Sequence, residues 1–202
     1  MSVKKYSSDQ IEKVAGFSVK QKDVIDLGLF DEAMHEWTVN NGYASRDDQA
    51  FPETLMLQRV SGDGAREIWF KWRLEKVPPD TGNKSDPRFI YQMRINVHTL
   101  AVKKTEVVRD GQKLKLDKGE VEVIVTANLI TDPNKTWEKS SLPDFVKKWL
   151  WKRAMLGEID KHRKSFMREA YNFGDMIKRH FYLHTLTPEP QGEFFPAKGI
   201  QE

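Results

Sequence analysis

The chain has 202 residues, and its 39% hydrophobic and 31% charged residues are typical of a single folded domain with a charged surface. Cysteine is absent, which excludes disulfides, thiolate nucleophiles and cysteine-bound metals. The net charge of +3 permits an anionic partner but does not require one. No apolar run approaches the ~18 residues that span a bilayer, and the polar N-terminus lacks the apolar core of a secretory signal. We therefore expect a cytoplasmic protein without a transmembrane segment.

The first predicted elements are a polar lead-in and an amphipathic helix. Within the lead-in, residues 1–22, Ser7 and Gln10 resemble a capping box, which predicts a short helix over about Ser8–Ala15. A second helix is predicted over Asp26–Asn40, where an Asn-Asn-Gly sequence supplies a stop signal. Its apolar residues recur at spacings of three and four and are Phe30, Ala33, Met34 and Trp37.

A β-hairpin is predicted next. Leu55 and Leu57 belong to a first strand that reaches a turn at Gly62-Asp63-Gly64. After the turn, Ile68–Leu74 alternates between apolar and polar residues with a period of two, the pattern of a strand with one buried face.

Two further strands and a small hairpin follow a polar loop. One strand covers Phe89–His98, a small hairpin over Thr105–Leu116 is centred on Asp110-Gly111, and a last long strand runs over Val121–Leu129. The residues predicted to face inward are Phe89, Tyr91, Met93, Ile95, Val97, Val121, Val123, Val125, Ala127 and Leu129.

A long helix is predicted from Ser141 to His184, with Pro143 in its first turn and apolar residues near a 3.6-residue period. Gly157 lies within this pattern and predicts a bend or a division of the helix. Residues 185–202 contain three prolines and no periodicity, so we expect a tail.

The predicted fold class is α+β, with a single domain over residues 1–184. An antiparallel meander of four or more strands forms its sheet. Because such a sheet has one dry and one wet face, the N-terminal helix and the long C-terminal helix are expected to cover the dry face.

The predicted C-terminal helix carries the positive charge of the chain. Residues 141–184 contain ten Lys and Arg against five Asp and Glu, so the rest of the chain is slightly negative. Tryptophans flanked by cations suit a protein interface, a lipid headgroup layer or nucleic acid. The alternative is that Trp149 faces the sheet while the lysines are solvated. The environment of Trp151 distinguishes these alternatives. It is two residues from Trp149, so one helix face cannot bury both tryptophan rings equally. The predicted partner-binding residues are Lys147, Lys148, Trp151, Lys152 and Arg153 of the helix, and Phe194 and Phe195 of the tail.

A weaker candidate site lies on the wet face of the predicted sheet. Arg94 and His98, with Glu120 or Glu122 of the neighbouring strand, are a candidate ligand-binding cluster. Cross-strand charge pairing on a solvated surface is the alternative interpretation of these residues.

The sequence predicts no catalytic residue, metal site or cofactor. His180 and His184 are four residues apart on the predicted helix, but no third ligand accompanies them. Glu158 and His162 have the same spacing, which is typical of a surface contact as well as of an acid–base pair. The Gly62-Asp63-Gly64 turn lacks the Lys and the strand-to-helix setting of a phosphate-binding loop. We therefore predict that the protein is not an enzyme.

A resemblance covers about residues 91–181. The segments Val107–Lys113 (VVRDGQK), Lys118–Val123 (KGEVEV) and Trp137–Ser140 (WEKS) carry it. In these segments the chain resembles a group of uncharacterised archaeal proteins. The resemblance implies a shared fold and no activity.

Two functions are predicted from these features. The first is a non-enzymatic interaction or assembly protein, a structural or accessory subunit that docks a protein partner or a second copy through the basic helix. The alternative is a small apolar-ligand-binding protein with a cavity between the sheet and the C-terminal helix, as in lipid- and steroid-binding folds. Docking to an anionic membrane surface or to nucleic acid is the third hypothesis.

Overall fold

The computed structural model describes residues 6–46, 51–79, 87–109, 112–135 and 144–181. Within these ranges, the side chains of residues 107–109, 112, 114, 144–152 and 154 are outside the description. The elements in chain order are β1 (Ile11–Ile25), α1 (Leu27–Asn40), β2 (Glu53–Val60), β3 (Arg66–Lys76), β4 (Phe89–Arg109), β5 (Gln112–Thr131) and α2 (Asp144–His180).

The five strands form one antiparallel sheet in the order β1-β5-β4-β3-β2. Strands β2 to β5 are a meander, and β1 joins at the far edge by pairing with β5 along its whole length. The predicted α+β class is therefore confirmed as a five-stranded antiparallel sheet with two helices. Neither helix in the described ranges is both long and apolar enough to cross a membrane.

The N-terminal segment differs from its prediction. A short 3-10 turn, Ser8–Gln10, replaces the helix predicted over Ser8–Ala15, and most of the supposed polar lead-in is strand β1. Ala15 and Val19 are buried while the residues between them are more exposed, so polar side chains occupy the alternate positions of a half-buried strand. The many polar residues concealed this period of two.

The predicted alternation of the central strands is confirmed. All ten predicted inward residues of β4 and β5 are buried, with exposed fractions of 3% or less. Strand β4 does not end near His98: it is 21 residues long and reaches Arg109. The small predicted hairpin is therefore the end of one long β4–β5 hairpin.

A β-bulge interrupts the β4–β5 pairing between Leu100 and Lys103, where Ala101 has φ of 53°. Gly119 lies opposite this bulge, and a Cβ there would come within 2.8 Å of Val102 Cγ2. The strands therefore change register at the bulge without ending, and the glycine permits the close approach.

Helix α1 agrees with its prediction. The Asp26 carboxylate accepts hydrogen bonds from the backbone N–H groups of Gly28 and Leu29 at 3.0 and 3.1 Å, which caps the helix. Phe30 and Met34 are buried, and the helix ends before Gly42 at φ 73°.

Helix α2 covers Asp144–His180 in the described ranges and runs through Gly157 without division. The predicted start, Ser141, lies outside the described residues. The Phe166 ring of α2 stacks on Tyr91 of β4 with centroids 4.4 Å apart, and the Phe173 ring lies 4.7 Å from Trp37 of α1. Gly174 lies against Phe17 of β1, where a Cβ would meet the ring at 2.8 Å. Aromatic residues of the sheet and both helices thus belong to one hydrophobic core.

Candidate functional site

A cavity of about 430 Å³ lies between α1 and strands β2 to β5. Helix α1 contributes Leu27, Phe30 and His35, while Phe51 and the β3 residues form the opposite wall. The period of two along β3 explains the wall, because it turns Ile68, Phe70 and Trp72 toward the same face. None of the described side chains of α2 lines this cavity. It lies under the N-terminal helix, whereas the sequence predicted a cavity under the C-terminal one.

An aromatic cluster forms one side of the cavity. The Phe51 ring lies 4.7 Å from Trp72 and stacks on His35 at 4.5 Å, and Phe70 lies 5.5 Å from Trp72. Phe51 and Phe70 are only partly buried. Partly exposed ring faces in a concave site suit a flat apolar group.

Charged residues form another side. The Asp117 carboxylate is 5% exposed and accepts from Arg66 Nη2 at 2.5 Å and from Lys104 Nζ at 3.0 Å. Lys104 and Asp117 are direct cross-strand neighbours beside the β4–β5 bulge. Two cations thus share one buried carboxylate, so this trio has a net charge of +1.

Two further acids line the cavity. Asp31 of α1 and Glu53 of β2 are both largely exposed to solvent. Partial burial of its carboxyl raises the pKa of Asp31, and the neighbouring His35 opposes that rise. The cavity therefore has an aromatic side and a separate charged side, and its lining includes both acidic and basic groups.

The predicted cluster on the other sheet face is not gathered into one pocket. His98 and Glu122 are cross-strand neighbours, but His98 Nε2 contacts Glu67 Oε1 at 2.9 Å. Arg94 lies four residues away along β4, roughly 13 Å, and donates to Gln92 at 2.9 Å. Glu120 pairs with Lys20 at 2.6 Å.

The hydrogen bond and charge of Lys20 lower the pKa of Glu120. His98 and Glu120 thus have partners on neighbouring strands, whereas Arg94 donates within its own strand.

The histidine candidates have separate surroundings. Glu158 pairs with Arg88 at 3.4 Å on the surface, whereas His162 is buried with Nδ1 2.9 Å from the Tyr91 hydroxyl oxygen. His180 packs against Phe30 at 5.3 Å, and burial lowers its pKa. His184 lies outside the described residues. Within the described ranges, no three His, Asp or Glu side chains are arranged to hold a metal ion.

Most of the side chains predicted to bind a partner lie outside the described part of the chain. The backbone of Lys147, Lys148, Trp151 and Lys152 is helical, but their side chains are not described. Arg153 is exposed, and Phe194 and Phe195 lie outside the described residues. Docking through this segment stays a prediction.

Sequence reasoning missed the charged side of the cavity. Arg66, Lys104 and Asp117 come from three strands, and only the cross-strand register brings them together. For this cavity, the sequence predicted only the inward direction of Phe70 and Trp72, through the alternation along β3.

A scan against protein-family models finds no match to this chain, and a search of curated proteins finds none either.

Proposed function

We propose that the protein is a non-enzymatic binding protein that holds a small amphipathic molecule in the cavity between α1 and the sheet. The observation that carries this proposal is the cavity itself, about 430 Å³ with aromatic and charged sides. Its size falls within the roughly 300–1,000 Å³ of small-molecule sites, which are mostly apolar with a few placed polar groups.

The contrast with α2 supports this location. Between α2 and the sheet, Tyr91 stacks on Phe166 and Phe89 lies 4.5 Å from His162, so large side chains fill that space. We infer that the basic helix and α1 together cover one face of the sheet, with α2 over β1 and β5. On this account α1 covers the remaining strands more loosely, which leaves room for a ligand beneath it.

The test is a titration with 1-anilinonaphthalene-8-sulfonate, a fluorescent aromatic sulfonate. The wild-type chain is expected to bind one equivalent. Ile68→Phe, which fills the cavity, should weaken binding at least about tenfold, since the probe loses its space. Ile124→Phe adds the same ring at an exposed position of β5 and should leave binding unchanged. An unchanged probe affinity in Ile68→Phe would refute the proposal. Circular dichroism serves as the control that both variants fold.

Assembly with a second copy is the other function that a specific observation favours. All residues of β2 are exposed, including Leu55, Met56 and Leu57 at 41%, 66% and 53%. In the described sheet, β2 is an edge strand that pairs with β3 alone. An apolar, unpaired edge readily pairs with another strand.

The sequence of β2 favours a second copy as that strand. Antiparallel pairing centred on Met56 sets Leu55 opposite Leu57 of the second copy, and Thr54 opposite Gln58. Apolar residues then meet apolar ones and polar residues meet polar ones. Sedimentation velocity at micromolar concentration should therefore give a dimer.

Leu57→Lys should abolish the dimer, because it places like charges near each other across the new pairing. Ile124→Lys is the matched control, since it changes an exposed apolar residue in an interior strand of the same sheet. A monomeric wild-type chain would end the assembly proposal.

Docking of an anionic partner through the basic helix remains part of the interaction hypothesis. The described outer side of α2 supports it, because Arg153, Lys164 and Arg168 are exposed together with Leu156 and Met167. A complex held this way should weaken steeply as salt rises. Membership of the archaeal group and a cytoplasmic location belong to the same proposal.

A further inference from the structure

One end of the cavity contains hydrogen-bond donors that the protein leaves unused. Arg66 donates through Nη2 to Asp117, and its Nε and Nη1 groups have no partner among the described residues. The Arg66 side chain is only 29% exposed and lines the cavity. A guanidinium has five N–H donors, so most of its capacity is directed elsewhere than Asp117.

Thr99 adds a second unused donor beside it. Thr99 is 1% exposed, and its Oγ1 accepts a hydrogen bond from the Ile68 backbone N–H at 3.1 Å. Its own hydroxyl proton has no acceptor in the described part of the chain. A hydroxyl can donate as well as accept, so this proton is open to an acceptor in the cavity. Since Thr99 also lines the cavity, an occupant can supply that acceptor.

Asp117 is not the acceptor of the Thr99 proton in the described structure. Its Oδ1 already accepts from Arg66, and its Oδ2 already accepts from Lys104. The two cations leave one positive charge uncompensated within this trio. The two other acids that line the cavity are Asp31, which belongs to α1, and Glu53, whose cross-strand partner is Trp72, six positions from Arg66 along β3. An anionic group is therefore favoured next to Arg66.

We propose that the molecule held in this cavity carries an anionic oxygen group, a carboxylate or a sulfonate, that accepts hydrogen bonds from Arg66 and Thr99. Lys104 lies at the exposed mouth and adds its charge. The apolar body of the ligand packs against Ile68 and Phe70, toward the aromatic cluster. This inference rests on the proposed ligand-binding function and specifies the ligand class.

The experiment compares 1-naphthoate with 1-naphthamide, two probes that share a ring and differ in charge. Calorimetric titration of the wild-type chain should show naphthoate binding at least about tenfold tighter, because charge-assisted hydrogen bonds are the stronger kind. Thr99→Val should weaken naphthoate several-fold and naphthamide less.

Substitutions of Arg66 test the charged donor directly. In Arg66→Met the preference for naphthoate should fall to about one, since the charged donor is gone. The same change is also made in an Asp117→Asn background, where the carboxylate that would lose Arg66 is absent, and circular dichroism checks that each variant folds. Arg66→Lys retains the charge and should retain part of the preference.

The outcomes separate this inference from the function on which it rests. If Ile68→Phe blocks both probes but Arg66→Met leaves the preference for naphthoate intact, the anion assignment is overturned and ligand binding stands. If neither probe binds, or Ile68→Phe has no effect on either, the ligand-binding function itself fails and the inference fails with it.

Discussion

Replacing glycine by alanine can be compared at two positions of α2, Gly174 and Gly157. At Gly174 a Cβ would meet the Phe17 ring at 2.8 Å, whereas at Gly157 nothing lies within 4 Å. Alanine raises helix propensity by about 1 kcal/mol over glycine at both positions. A clash inside a packed region costs about 1–3 kcal/mol. Gly157→Ala should therefore stabilise the protein, and Gly174→Ala should destabilise it by about 1 kcal/mol.

Urea denaturation followed by circular dichroism measures both changes. The two free energies of unfolding should differ by about 2 kcal/mol, and the melting temperatures by several degrees, given about 2–4 °C per kcal/mol at this chain length. Phe17→Leu in the Gly174→Ala background should relieve part of the loss, which a double-mutant cycle would detect as coupling. Equal stabilisation by both alanines would refute the close contact between α2 and β1.

Three further changes test other contacts. Asp117→Asn should lower the free energy of unfolding by about 1–3 kcal/mol, because two cations lose their shared carboxylate; unchanged urea denaturation would contradict this. Burial lowers the pKa of His180, so its contribution to stability is complete above the unfolded value of about 6.5 and is lost as pH falls through the folded pKa. His180→Leu should flatten the melting temperature between pH 8 and 5, and parallel curves would exclude this role. Glu169→Gln should cost about 1–2 kcal/mol, since Lys76 Nζ lies 2.6 Å away with both side chains mostly buried. The exposed Glu158→Gln should cost less, and an equal loss of melting temperature would count against the argument.

The sheet was predictable wherever alternation and burial agree. Over Phe89–Val97 of β4 and Val121–Leu129 of β5, every second residue is apolar, so the buried face follows from the sequence. Strand β1 was missed because its buried residues are separated by polar ones such as Lys20 and Lys22, and no strong apolar run results. The β4–β5 bulge was missed because it depends on a local backbone change at Ala101, for which alanine gives no signal.

The candidate site was predictable only in part. The inward direction of Phe70 and Trp72 follows from alternation, but the approach of Arg66 to Asp117 does not. Those two residues are 51 positions apart and belong to strands that are not neighbours. Their meeting requires the full strand order, including the bulge that shifts β4 against β5. A charged cluster of this kind becomes visible only once tertiary structure is known.

The pairing of β1 with β5 also has a consequence during synthesis. Ile11 leaves the ribosome before its partner Ile130, which follows over a hundred residues later along the nascent chain. Contacts between such distant segments slow folding, since a large loop must close before they form. Strand β1 therefore stays unpaired until β5 has emerged, and a chain terminated before β5 would have an open sheet edge prone to aggregation.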